Sequence, residues 1–197
     1  MTTAQSLTQR VQEQFPQYVI GMHHFRGQET VLLKREGLLE VARFLRDEPA
    51  MACDFLMDLT CVDYKKFGTS QGSSPTLATP SPLPYYMRPK LVAETWQPII
   101  DRDTYRFEVV YHFYSSQHNH RIRIKIPLSA EAATVASLTE LWRAANWFER
   151  EVWDMFGVRF EGHPNLTRIL MYEEFTGHPL RTDYPVNKRQ PLIGPAN

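Results

Sequence analysis

Apolar residues along this chain recur with two different periods, and the change of period marks the elements. Leu7 to Phe15 reads as a first helix, which Pro16 ends. Tyr18 to Phe25 and Glu29 to Lys34 carry β-branched and aromatic residues on either side of Gly27, which predicts a hairpin. Gly37 to Arg46 sets Leu38, Leu39, Val41, Ala42, Phe44 and Leu45 at helical spacing, and Pro49 follows its end. Phe55 to Tyr64 predicts a strand with partial alternation. The clearest strands are Tyr105 to Ser115 and Arg121 to Pro127. In the second, Ile122, Ile124 and Ile126 point inward while Arg121, Arg123 and Lys125 point outward, as a solvated face. Ser129 opens a helical region, and Ser137-x-x-Glu140 has the form of a capping box for a short helix through Trp142. Runs of strands followed by helices predict an α+β fold. Its sheet is small and mixed or antiparallel, with flanking helices, unlike a doubly wound nucleotide fold.

The stretch from Asn146 to Gly157 is the organising element. It predicts a short helix closed by Gly157, the residue expected just past a helix C-terminus. On a helical wheel Phe148, Val152, Met155 and Phe156 form one apolar arc, which Trp147 and Trp153 widen. Glu149 and Glu151 fall within that surface, and only Arg150 and Asp154 share a polar sector, within pairing reach of each other. A helix apolar nearly all round is covered on several sides. Carboxylates set into such a surface need partners, so cations are expected to arrive from elsewhere in the chain or from another protein. The plainer alternative is a core helix whose glutamates sit at the water's edge.

Two regions differ in character. Residues 65–100 are rich in Pro, Ser, Thr and Gly and read as an insertion loop, with Tyr85-Tyr86-Met87-Arg88 as a candidate contact point. Residues 163–197 hold Pro164, Gly177, Pro179, Pro185, Pro191, Gly194 and Pro195, so no long helix or strand fits. The same segment carries Leu166, Ile169, Leu170, Met171, Tyr172, Phe175, Leu180 and Tyr184. Burying these does not by itself offset the entropy of ordering so irregular a backbone. The domain reading is therefore an α+β domain over 1–162 and an extended partner-binding tail over 163–197, lying on its own domain, on a partner, or on both. Arg159, Arg168 and Arg181 are the expected partners of Glu149, Glu151, Asp154 and Asp183.

Composition narrows the chemistry. The chain has 197 residues, 43% of them hydrophobic, and a formal net charge of zero, so it lacks the basic footprint of a nucleic-acid binder. No apolar run approaches the length of a membrane span, which leaves membrane association to partners. Cys53 and Cys61 stand alone, too few for an iron–sulfur cluster, and read as buried thiols. His112, His118 and His120 lack metal-ligand spacing, and adjacent His23 and His24 point to opposite faces of a strand. Asp54, Asp58 and Asp63 read as turn and edge aspartates. His163 and His178 each precede proline in Gly-His-Pro turns and read as histidines bonded to nearby backbone. No G-x-G-x-x-G, P-loop, C-x-x-C or H-E-x-x-H is present.

From Glu149-Arg150-Glu151 through Asp154-Met155-Phe156-Gly157, Gly162-His163-Pro164, Leu166, Arg168-Ile169-Leu170, Gly177-His178-Pro179-Leu180-Arg181 and Asp183-Tyr184-Pro185, the chain resembles the 30-kDa subunit family of respiratory complex I. In bacteria this family supplies the C subunit of NADH-quinone oxidoreductase. The resemblance implies a structural subunit of the peripheral arm, on the cytoplasmic side of the bacterial inner membrane. It implies no cofactor and no catalytic site in this chain, since FMN, the iron–sulfur clusters and quinone belong to partner subunits. The expected neighbours are the hydrogenase-large-subunit-like quinone-site subunit and its iron–sulfur neighbour. The signature residues would be Glu149, Arg150, Glu151, Asp154, Gly157, His163, Pro164, Arg168, Arg181 and Asp183. Two alternatives stand beside this one. One is the equivalent subunit of a membrane-bound hydrogenase or other donor-linked complex. The other is a free-standing enzyme working through Glu149, Glu151 and Asp154.

Overall fold

The first hairpin sets the sheet. Arg26 and Gly27 both take positive φ, 49° and 77°, which gives the two-residue turn whose twist matches its flanking strands. It joins β1 (Val19–Phe25) to β2 (Gln28–Leu33) in antiparallel register. The computed structural model describes residues 6–65, 101, 104–185 and 187–190. The insertion beyond residue 65, with its Tyr85–Arg88 contact point, and the last residues of the tail lie outside that range.

Three further strands complete the sheet: β3 (Phe55–Asp63), β4 (Phe107–Ser115) and β5 (His120–Leu128). The order is β1-β2-β5-β4-β3, with β2 and β5 parallel and the other neighbours antiparallel. The expected small mixed sheet is thus observed. Ile122, Ile124 and Ile126 are buried on the face they share with Val31, Leu33, Val109, Tyr111 and Phe113. Helices α1 (Leu7–Gln14) and α2 (Leu38–Asp47) add Val11, Leu38, Val41, Ala42 and Leu45 to this core. The opposite face is less solvated than alternation alone predicts. There the Lys125 ammonium lies 2.7 Å from the buried carboxylate of Glu108, and Arg123 donates to Gln28.

The region after Ser129 departs from expectation. It holds no helix but a short strand, β6 (Thr134–Ala136), paired in parallel with β7 (Arg159–Glu161). Helix propensity is a weak prior, and here the ladder to β7 overrides it. The capping box at Ser137 is not made either. Leu141 and Trp142 both donate to Leu138 O, giving one turn, while the Ser137 hydroxyl is taken by Glu149. The helix that follows, α3 (Ala145–Phe156), is the organising element the sequence predicts, and Gly157 closes it at φ 76°.

Candidate functional site

The C-terminal end of α3 leaves backbone carbonyls without partners inside the helix, and a helix end of this kind must find donors elsewhere. The Gly157 N–H takes Trp153 O. The tail supplies the rest. His178 Nδ1 donates to Asp154 O at 3.0 Å, Leu180 N–H to Met155 O at 3.1 Å, and Arg181 Nε to Phe156 O at 2.5 Å. Gly157 serves this closure twice. Its φ suits glycine, and a Cβ there would overlap Arg181 Nη2 and His178 Nε2.

Asp154 fastens the tail from the side. Its carboxylate is fully buried and accepts the backbone N–H groups of Ile169, Leu170 and Met171 at 3.1, 2.9 and 2.9 Å. The Arg168 guanidinium pairs with its other oxygen and also donates to Gly177 O at 3.1 Å. Burial pushes the Asp154 carboxyl up, but the three amides and Arg168 outweigh it and hold it below the usual carboxylate range. Arg168 lies between the rings of Trp153 and Phe175, at 5.6 and 5.7 Å. Arg150 reaches Thr167 O at 3.0 Å, Thr167 Oγ1 at 2.9 Å and Arg168 O at 3.1 Å.

Farther along, the tail crosses the edge of the sheet. Thr182 donates its N–H and hydroxyl to Asp63 at the end of β3, at 2.9 and 3.1 Å. Arg106, just before β4, holds both oxygens of Asp63 and reaches Asp183 at 2.7 Å. Lys65 Nζ closes on Asp183 at 2.6 Å. Burial raises the Asp63 carboxyl, yet the donors from Arg106, Lys65 N–H and Thr182 N–H bring it to about 2. Arg106 and Lys65 lower Asp183 in the same way.

Glu149, on the inner side of α3, has no such company. It is fully buried and accepts from Ser137 Oγ and the Leu138 N–H, both at 2.7 Å. Burial dominates and pushes its carboxyl up to about 7. The buried Tyr111 hydroxyl makes no hydrogen bond among the described residues, and its pKa is raised by burial and then by the charge of Glu149.

Five signature residues, Arg150, Asp154, Gly157, Arg168 and Arg181, therefore meet around one helix end, with Asp183 a few residues on. His163 sits at the other end of α3. It donates from Nε2 to Asn146 O and accepts the Asn165 N–H at Nδ1, beside Pro164 in an exposed turn. Several expected pairings are not made. Arg150 turns to Thr167 and not to Asp154, because the buried aspartate already has Arg168 and three amides. Glu149 meets neutral donors and no arginine. Glu151 and Arg159 are exposed, with no ion pair among the described residues. Asp183 pairs with Arg106 and Lys65, not with a tail arginine. Sequence reasoning also misses Asp63, Arg106, Thr182 and Ser137. Its pattern makes Asp63 an edge aspartate, yet that side chain is 1% exposed. The usable signal is the antiparallel pairing of β3 with β4, which sets Asp63 opposite Phe107, next to Arg106. Cys53 and Cys61 are free and buried, and burial pushes the Cys53 thiol up to about 12. His118 and His120 direct Nε2 at the carbonyls of Pro49 and Met51. Among the described residues no helix is long and apolar enough to cross a membrane.

The family model of the respiratory-chain NADH dehydrogenase 30 Kd subunit matches residues 31–190. The chain belongs to this family. It is 37% identical over 187 residues to the NADH-quinone oxidoreductase C subunit of Citrifermentans bemidjiense, covering 94% of this chain and 92% of that one. It is 39% identical over 181 residues to the same subunit of Roseiflexus castenholzii, covering 92% and 83%. Among solved structures it resembles a trypsin-resistant fragment of Nqo5, with a TM-score of 0.55 and 28% identity, covering 80% of this chain and 98% of the fragment. One chain of an archaeal membrane-bound sulfane sulfur reductase shares the fold at a TM-score of 0.59, with 16% identity, covering 91% and 84%. The matched range begins within β2 and ends at residue 190, so it takes in β3, β4, β5, α3 and most of the tail.

Proposed function

We propose that this chain is the C subunit of an NADH-quinone oxidoreductase, a cofactor-free structural part of its peripheral arm on the cytoplasmic side of the bacterial inner membrane. Electrons from NADH pass through FMN and iron–sulfur clusters of other subunits to quinone, coupled to proton translocation. This chain braces the quinone-reducing module beside the hydrogenase-large-subunit-like subunit. The observation that carries the reading is the tail. It is fastened at Asp154 and Asp63, and it keeps large apolar side chains outward: Leu170 and Leu180 are 55% and 54% exposed, and Trp147 on α3 is 63% exposed. Exposed apolar groups on a rigidly held segment are what an interface core requires. The relatives, matched over 92% and 83% of their lengths, support the same assignment.

A free-standing carboxylate enzyme fits less well. Of its three candidate groups, Asp154 is occupied by the tail, Glu149 is buried under Ser137 and Leu138, and Glu151 stands apart on the exposed side. The test is assembly. A Leu170→Asp, Leu180→Asp double variant should lower recovery of the intact complex on native gels, with quinone reduction falling in proportion. Full assembly with unchanged activity would sink the reading, and so would full assembly with activity lost.

A further inference from the structure

Arg181 stands out among the cations around the tail. Arg168 has Asp154, and Arg106 has Asp63 and Asp183. Arg181 has no carboxylate within ion-pair distance among the described residues. Its Nε is taken by Phe156 O, and no other hydrogen bond from its guanidinium reaches a described residue. The helix end it caps carries only a partial negative charge. The guanidinium lies 5.3 Å from the centre of the Phe107 ring, and the Arg106 guanidinium approaches the same ring at 4.7 Å. Two like charges thus share one aromatic ring, and only one of them is neutralised. Burial, followed by the repulsion from Arg106, lowers the pKa of Arg181. The unused donors of Arg181 still reach solvent, but a partner that covers them makes the cation costly unless it also brings an anion. Next to it in the chain, Leu180 is exposed, and Leu170 is exposed on the loop held by the same helix end.

We propose that Arg181 is the socket for a carboxylate of the neighbouring protein in the complex, an Asp or Glu side chain carried on an apolar segment that covers Leu180 and Leu170. The proposal rests on the reading of the tail as a docking surface and names what docks there. The guanidinium offers a planar fork that a carboxylate meets through two hydrogen bonds. The flanking leucines exclude water from the pair, which strengthens it.

An Arg181→Lys variant places a primary amine at the socket. In the assembled complex, a carbodiimide should then couple that amine to the partner's carboxylate, and peptide mass spectrometry should locate the new amide on an Asp or Glu of the neighbouring protein. The wild-type chain should give no cross-link at this position. A cross-link only to Asp63 or Asp183 of the same chain, or none at all, overturns the proposal. Separately, an Arg181→Gln chain should bind the remainder of the complex at least tenfold more weakly at low salt, with a flatter dependence on salt. Unchanged affinity and salt dependence also overturn it. The Leu170→Asp, Leu180→Asp chain separates the two ideas. If that chain binds normally, the docking reading itself fails. If it does not bind while Arg181→Gln binds as wild type does, only the carboxylate socket fails.

Discussion

Glu149 and Asp154 are both removed from solvent on α3, little more than one turn apart, and their surroundings are opposite. Asp154 faces the tail and meets an arginine and three backbone amides. Glu149 faces the sheet and meets a hydroxyl and one amide. One carboxyl is held below its ordinary range and the other is pushed up to about 7. Neither reaches solvent, but Glu149 lies deeper in the core, and its donors are fewer and uncharged; depth and donors together push its carboxyl up while those of Asp154 hold it down. The outer carboxylate works as a fastener for an irregular segment. The inner one is a polar group in a core, tying the turn before α3 to the helix itself.

The comparison breaks most visibly at Asp154. Asp154→Ala leaves Arg168 without its partner and three amides without an acceptor, and should cost roughly 3–5 kcal/mol in denaturant melts. The tail should then become sensitive to limited proteolysis between Thr167 and Pro185. If those bonds stay protected, Asp154 is not the fastener. Acid acts in the same direction. The depressed pKa of Asp154 and that of Asp63, at about 2, give stability that is present above the unfolded carboxyl value and lost as pH falls below it.

Glu149 carries the opposite sign. Its pKa is raised from 4.5 in the unfolded reference to about 7, so its contribution is complete below 4.5 and is lost as pH rises through 7. Glu149→Gln should remove that part of the pH dependence. Relative to wild type it should gain up to about 3 kcal/mol at pH 8 over pH 4, at about 1.36 kcal/mol per unit of pKa shift. Parallel wild-type and variant stability curves between these pH values would show that folding does not shift the Glu149 carboxyl.

Smaller effects sharpen the contrast. Gly157→Ala forces a Cβ into the left-handed region and against Arg181 and His178, and should cost roughly 1–3 kcal/mol by thermal melts. Glu151→Ala, on the exposed side of the same helix, should change stability by less than about 0.5 kcal/mol. A larger loss at Glu151 would mean that exposure alone does not separate the carboxylates of α3.

Much of this was readable in the order of residues. Period-two runs marked the strands, and Ile122, Ile124 and Ile126 identified the core face of β5. Gly157 marked the end of α3 because few other residues accept that conformation. The pairing of Arg168 with Asp154 was among the partnerships expected. The weaker parts share a physical cause. β6 has only three residues, too short for the preference of Thr134 and Val135 to stand out, and it pairs because β7 lies beside it. Ser137 had a local role open to it, and Glu149 on the following helix took it instead.

The sequence by itself determined the elements with strong periodicity, the family to which the chain belongs, and the need of the apolar tail for a surface to rest on. These follow from local pattern and from residue types with narrow conformational or chemical ranges. Only the tertiary structure decided which carboxylate received a cation. That choice depends on which backbone amides and guanidinium groups folding brings within about 3 Å, a distance set by long-range packing. Asp63 and Thr182, joined at 2.9 Å across the chain, show it plainly, since nothing local to either residue points to the other.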